Sequence, residues 1–115
     1  MEKNLLIIGA GGHGRSIAEV AKLSGEFLQI AFLDDSWEVE AEQILNIVGR
    51  MEHLAEHKNY FSHVIIGIGN NTVREKLHTQ VLAEGLNLAT LIHPTAVIST
   101  SAKIGRGTVV FAGVV

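Results

Sequence analysis

The chain has no cysteine, a single proline (Pro94) and a single tryptophan (Trp37) in 115 residues. Without thiols there is no disulfide scaffold, no thiolate zinc site and no cysteine nucleophile. A chain of this length buries roughly two thirds of the surface its unfolded form exposes. With 47% hydrophobic residues it builds a core without cross-links or metal. It also lacks a basic block, and its formal charge is −3, so nothing favours a nucleic acid as partner. No apolar run approaches the ~20 residues of a membrane span, and the N-terminus lacks the order of charge, apolar stretch and cleavage site that marks a signal peptide. The expectation is a cytoplasmic protein with one compact domain and at most a short appendage, with no membrane partner.

What the chain does have is glycine, placed between apolar runs. Asn4-Leu-Leu-Ile-Ile8 shows no polar alternation, as a strand buried on both faces reads, and ends at Gly9. Gly-Ala-Gly-Gly-His-Gly14 follows, and then Ser16 to Ser24 carries Ile17, Val20, Ala21 and Leu23 as the apolar positions of a helix closed by Gly25. Phe27 to Leu33 reads as a second strand delivering Asp34 and Asp35 to its C-terminal edge; Ile44 to Val48 reads as a short third, and Arg50 to Lys58 as a short helix. His63-Val-Ile-Ile-Gly-Ile-Gly69 repeats the pattern of the first strand. Asn71 to Glu84 then forms a helix with Val73, Leu77, Val81 and Leu82 inward, and Leu88 to Ile92 a last strand. Strands alternating with helices predict an α/β fold, a small Rossmann-like parallel sheet over residues 1–91.

After Pro94 the period changes. Ile92, Ile98, Ile104 and Val110 recur every six residues, as do Ala96, Ala102, Thr108 and Val114. Aliphatic and small positions at a six-residue period predict the first hexapeptide repeats of a parallel β-helix over 92–115, three hexapeptides to a coil. On this reading the solenoid is cut off after little more than one coil, and its open apolar end favours self-association.

Gly9, Gly11 and Gly14 fit G-x-G-x-x-G between a strand and a helix start, where glycines let backbone N–H groups approach a phosphate and the helix dipole favours an anion. The bland alternative is a turn that only allows close packing of strand on helix. Asp34 lies 20 residues beyond Gly14, a spacing that suits a ribose-binding carboxylate; alternatively Asp34 and Asp35 sit in a solvated turn that opens an acidic segment through Glu42. One half of a dinucleotide fold followed by hexapeptides favours a mononucleotide, such as the uridine diphosphate part of a nucleotide sugar, over a complete NAD. Gly69, Asn70 and Arg74 stand where they would close the same pocket, with helix capping as the other reading of Asn70 or Asn71.

The ordered set of Gly-Ala-Gly-Gly-His-Gly, Phe32-Leu-Asp-Asp35, Ile68-Gly-Asn-Asn71 and Leu91-Ile-His-Pro-Thr-Ala-Val97, followed by hexapeptides, resembles the sialic acid O-acetyltransferases and UDP-4-amino-sugar N-acetyltransferases of the NeuD and PglD type. The resemblance covers the whole chain. It implies an N-terminal domain that binds a UDP-type nucleotide sugar and a left-handed β-helix that binds acetyl-CoA between subunits of a homotrimer. It assigns the glycine-loop role to Gly11, Gly12, His13 and Gly14, the base contact to Asp34 or Asp35, and a pocket contact to Gly69 and Asn70. The family's general base, a β-helix histidine with an acidic neighbour, is expected beyond Val115, so this polypeptide is expected to bind nucleotide sugar and to transfer little or no acetyl group.

The histidines present offer no clear substitute. His13 reads as a hydrogen-bonding or packing residue of the loop, with proton transfer as the lesser reading. His53 and His57 are four apart, but Leu54 stands where H-E-x-x-H needs glutamate. His93 reads as structural, and His63 and His78 have no evident partner. Met1 and Met51 read as packing residues; Trp37 reads as a lid or a subunit contact. Two other functions compete: a nicotinamide-dinucleotide module, for which the hexapeptides have no use, and a non-catalytic nucleotide-binding module that only trimerises.

Overall fold

The computed structural model describes residues 3–35 and 46–89 together with the strand residues 91–92 and 109–110. Strand β1 (Asn4–Ile8) is buried along its whole length. Successive side chains of a strand point to opposite faces, and here both faces are covered. Leu5 and Ile7 pack with Ile17, Val20 and Ala21 of helix α1 (Gly12–Ser24). Leu6 and Ile8 pack on the other side with Leu54, Phe61, Leu77 and Val81. A strand between two layers needs an unbroken apolar run, which is what residues 5–8 supply.

Strands β2 (Gln29–Leu33), β3 (Ile47–Gly49), β4 (His63–Ile66) and β5 (Asn87–Leu88) complete a sheet in the order β3-β2-β1-β4-β5, every neighbour parallel. A 3-10 turn (Met51–His53) leads into the short helix α2 (Leu54–His57), and helix α3 (Asn71–Ala83) joins β4 to β5. The chain builds outward from β1 to β2 and β3, then returns to lay β4 on the other side of β1. That reversal makes the C-terminal ends of β1 and β4 the switch point of the sheet, where ligands of open α/β folds gather.

Several expected boundaries move. β2 starts at Gln29, not Phe27: Phe27 instead meets the ring of His63 edge-on, and Leu28 is 63% exposed while its N–H donates to the Lys3 carbonyl at 2.8 Å. Leu23 is also exposed. The inward face of α3 narrows to Leu77 and Val81; Val73 and Leu82 are 42% and 46% exposed. β5 is two residues long and offers little sheet for α3 to cover, and Leu82, about 100° around the helix from Val81, falls off the stripe. The third strand lies at 47–49, and the part of its expected range before residue 46 is outside the described residues.

The expected strand from Leu88 to Ile92 is divided. Leu88 ends the five-stranded sheet, whereas β6 (Leu91–Ile92) pairs in parallel with β7 (Val109–Val110), Leu91 with Val109 and Ile92 with Val110. Each residue thus meets the one three hexapeptides further on.

Candidate functional site

The turn after β1 is held by three glycines that leave no room for a side chain. Gly9 has φ +104°, a conformation glycine adopts freely and L side chains rarely do, and its N–H donates to the Leu33 carbonyl at 2.7 Å. In the first turn of α1, a Cβ on Gly14 would collide with the Gly9 carbonyl, and one on Gly67 would stand 2.8 Å from the Gly14 Cα. These contacts bring β1, α1 and the end of β4 together backbone to backbone. Gly67 came to notice in the sequence only as part of a repeated strand pattern; its packing role arises from a partner 53 positions away.

Gly11 and Gly12 are of another kind. Both are exposed, and nothing lies within 4 Å of where a Cβ would stand on either. Packing therefore gives no reason for glycine here. Gly11 is the residue that caps α1, and having no side chain it makes no side-chain cap bond to the N–H groups of that first turn. An uncapped helix N-terminus with its partial positive charge accommodates an anion, and bare backbone lets the anion come close.

A cavity of about 430 Å³ opens at this point, within the usual size of small-molecule sites. One side is the turn itself: Gly9, Gly11, Gly12 and His13. Asp34 and Asp35 line it from the end of β2. The remaining wall is aliphatic, formed by Ile8, Leu33 and Met51 and, from the β4 side, Ile68, Val73 and Leu77. Each carboxylate also does structural work. Asp34 Oδ2 accepts the Ala10 N–H at 2.7 Å, and Asp35 Oδ1 accepts the Met51 N–H at 2.9 Å, tying the 3-10 turn to the cavity rim.

The expected site residues separate accordingly. Gly9, Gly11, Gly12, His13, Asp34 and Asp35 meet around the cavity, and Gly14 lies behind the turn, buried. Gly69, Asn70 and Arg74 are not part of the lining. Asn70 Oδ1 caps α3 by accepting the Val73 N–H at 3.0 Å, and Asn71 Oδ1 accepts from Arg74 Nη2 at 2.7 Å, so capping and arginine holding fall to neighbouring asparagines. Sequence reasoning missed Met51 and Val73 in the wall. Met51 carries no local signal, being brought there by the Asp35 bond; the exposure of an apolar Val73 shows only in the fold.

Elsewhere, His53 Nδ1 accepts the Arg50 N–H at 3.0 Å and closes the 3-10 turn, while His57 meets Phe61 edge-on. His63 does have partners: its Nδ1 is hydrogen-bonded to Ser62 Oγ at 2.8 Å. Burial, and secondarily the charge of Lys3, hold its pKa below the usual histidine value. It begins β4, at the opposite end of that strand from the cavity. Among the described residues no group of three His, Asp or Glu could hold a metal ion, and no helix is long and apolar enough to cross a membrane. His93 and Trp37 lie outside the described residues.

Residues 4–81 match the family model of the PglD N-terminal domain. The chain belongs to that family. It is 35% identical over 112 residues to a UDP-N-acetylbacillosamine N-acetyltransferase of Bacillus subtilis, covering 96% of this chain and 52% of the relative. Among solved structures it is similar to the acetyltransferase domain of PglB from Neisseria gonorrhoeae in complex with acetyl coenzyme A (TM-score 0.85, 36% identity, 97% of this chain and 54% of that one). It is also similar to PerB from Caulobacter crescentus in complex with CoA and GDP-perosamine (TM-score 0.84, 32% identity, 96% and 52%). The NeuD and PglD resemblance and the Rossmann-like α/β fold expected from the sequence are thereby established. The chain spans about half the length of these relatives.

Proposed function

We propose that this chain is the nucleotide-sugar-binding part of a PglD-type acetyltransferase, and that the cavity at the β1–α1 turn takes the nucleotide of a UDP-linked amino sugar. The observation that carries this reading is the pair of open glycines, Gly11 and Gly12, at a helix N-terminus without a side-chain cap. A diphosphate would lie against these N–H groups, and the base and ribose would extend past the end of β2 toward Asp35 and the aliphatic wall. His13, on the turn, would hydrogen-bond to the ligand. Uridine is proposed as the base on the strength of the Bacillus subtilis relative, which is named for a UDP sugar; the Caulobacter relative was solved with a GDP sugar.

The reaction proposed for the whole enzyme is acetyl transfer from acetyl-CoA. The sugar amine or hydroxyl attacks the thioester carbonyl, the carbon–sulfur bond breaks, CoA leaves as the thiol, and a general base takes the proton lost by the attacking group. That chemistry is assigned to the β-helix portion of the family. The six-residue period and the pairing of β6 with β7 three hexapeptides apart favour a β-helix beginning at residue 92, and with it a cytoplasmic homotrimer binding acetyl-CoA between subunits. Residues 1–115 alone are proposed to bind nucleotide sugar without transferring acetyl groups at a useful rate.

Calorimetric titration with UDP, a UDP-amino sugar, GDP and NAD tests the reading. Binding of the UDP ligands with NAD inert supports it; NAD binding without UDP binding would return the site to the dinucleotide alternative. GDP binding in place of UDP would keep the site and change the base.

A further inference from the structure

One residue of the glycine turn is gripped by side chains on both of its backbone polar groups. The Ala10 N–H donates to Asp34 Oδ2 at 2.7 Å, and the Ala10 carbonyl accepts from Arg15 Nε at 3.2 Å. Ala10 itself is 6% exposed, packed in the α1 side of the core. Asp34 reaches it from the end of β2, 24 residues away in sequence, and Arg15 reaches back from the first turn of α1. On one flank Gly9 is tied to Leu33; on the other stand Gly11 and Gly12, with open space where a side chain would be and with the Gly11 carbonyl accepting the Arg15 N–H at 3.0 Å.

We infer that Asp34 and Arg15 are positioning residues, a clamp on Ala10 that fixes the direction in which the Gly11 and Gly12 N–H groups point before any ligand arrives. This rests on the proposed nucleotide site and adds to it a division of labour. The part of Asp34 that matters is an oxygen acceptor turned toward the protein, and its negative charge is not what the ligand needs; a carboxylate beside a diphosphate opposes binding electrostatically. The clamp adds to the backbone bonds of Gly9 and Gly11 in ordering the turn, so more of the cost of ordering its glycines is met in the fold and does not weaken binding.

Two matched pairs of uncharged variants isolate the clamp. Asp34→Asn keeps an oxygen acceptor where Asp34→Leu does not. Arg15→Gln keeps a nitrogen donor as many bonds from Cα as the arginine Nε, and Arg15→Met keeps the stem without it. The readouts are UDP affinity by calorimetry and, on the ligand-free chain, hydrogen exchange of the Ala10 amide. Asp34→Asn is expected to bind UDP within about threefold of wild type or more tightly, and Asp34→Leu at least tenfold more weakly with faster Ala10 exchange. Arg15→Gln is expected to bind several-fold more tightly than Arg15→Met. Equal losses in Asp34→Asn and Asp34→Leu, with Ala10 exchange unchanged in both, would mean that Asp34 acts on the ligand directly and would overturn the clamp. If wild type does not bind UDP, the proposed function fails. The exchange comparison still decides the clamp: slow in wild type and Asp34→Asn but fast in Asp34→Leu supports it, and no difference refutes it.

Discussion

Two neighbouring strands of the sheet, β1 and β4, leave it through nearly the same sequence, a buried apolar run, a Gly-x-Gly and a helix, and put it to different use. After β4, Asn70 caps the helix and Asn71 holds Arg74, so the start of α3 is satisfied by its own side chains. After β1, the start of α1 has no side-chain cap, its two exposed glycines face a cavity, and the residue before them is held through both its N–H and its carbonyl. One turn is finished by the protein; the other stays open, and it is there that we place the ligand. The shared glycine motif therefore does not identify the site; the fate of the helix N-terminus does.

The largest expected effect tests the glycines that knit the two turns together. Gly14→Ala forces a methyl into the Gly9 carbonyl of its own turn and Gly67→Ala one against the Gly14 backbone of the other turn; each should destabilise by roughly 3 kcal/mol or more, read as a loss of cooperative unfolding or a large drop in urea midpoint. A Gly67→Ala variant as stable as wild type would mean that the two turns are not in the contact described. Next comes Gly12→Ala, which meets nothing in the protein. Stability should change by less than about 1 kcal/mol, while UDP binding weakens at least tenfold; tight binding by this variant would deny the turn its role.

Asn70→Ala sharpens the contrast from the other side. Loss of the cap should cost about 1 kcal/mol in thermal or urea denaturation and leave UDP affinity within about twofold. The smallest effect lies at the far end of β4. Because the His63 pKa is lowered in the folded chain, the unfolded chain binds the proton more readily between that value and the ordinary 6.5. Stability from this group is present above pH 6.5 and declines as pH falls below it. Thermal scans from pH 7.5 to 5 should show a decline that His63→Asn flattens, with no change in nucleotide affinity beyond that of the wild type.

Much of this was legible in the sequence because it was written locally. Residues 5–8 read as a doubly covered strand from their own composition, and the glycine turn announced itself by position between strand and helix. What was not legible depends on distant partners. Nothing near Asp34 says that its carboxylate turns back to Ala10, and nothing near Gly67 says that Gly14 presses on it. Val73 kept helical spacing, yet it stands at the open cavity, and Leu82 falls beside the buried stripe. Met51 joined the cavity through a single bond to Asp35. The asparagines at 70 and 71 left capping and ligand contact open, and only geometry showed the cap.

The most direct test of the central claim compares UDP binding to wild type, Gly12→Ala and Asn70→Ala under one set of conditions. Affinity should fall in Gly12→Ala alone, with Asn70→Ala less stable but fully competent to bind. The reverse pattern, binding kept in Gly12→Ala and lost in Asn70→Ala, would place the ligand at the β4–α3 turn and contradict the account.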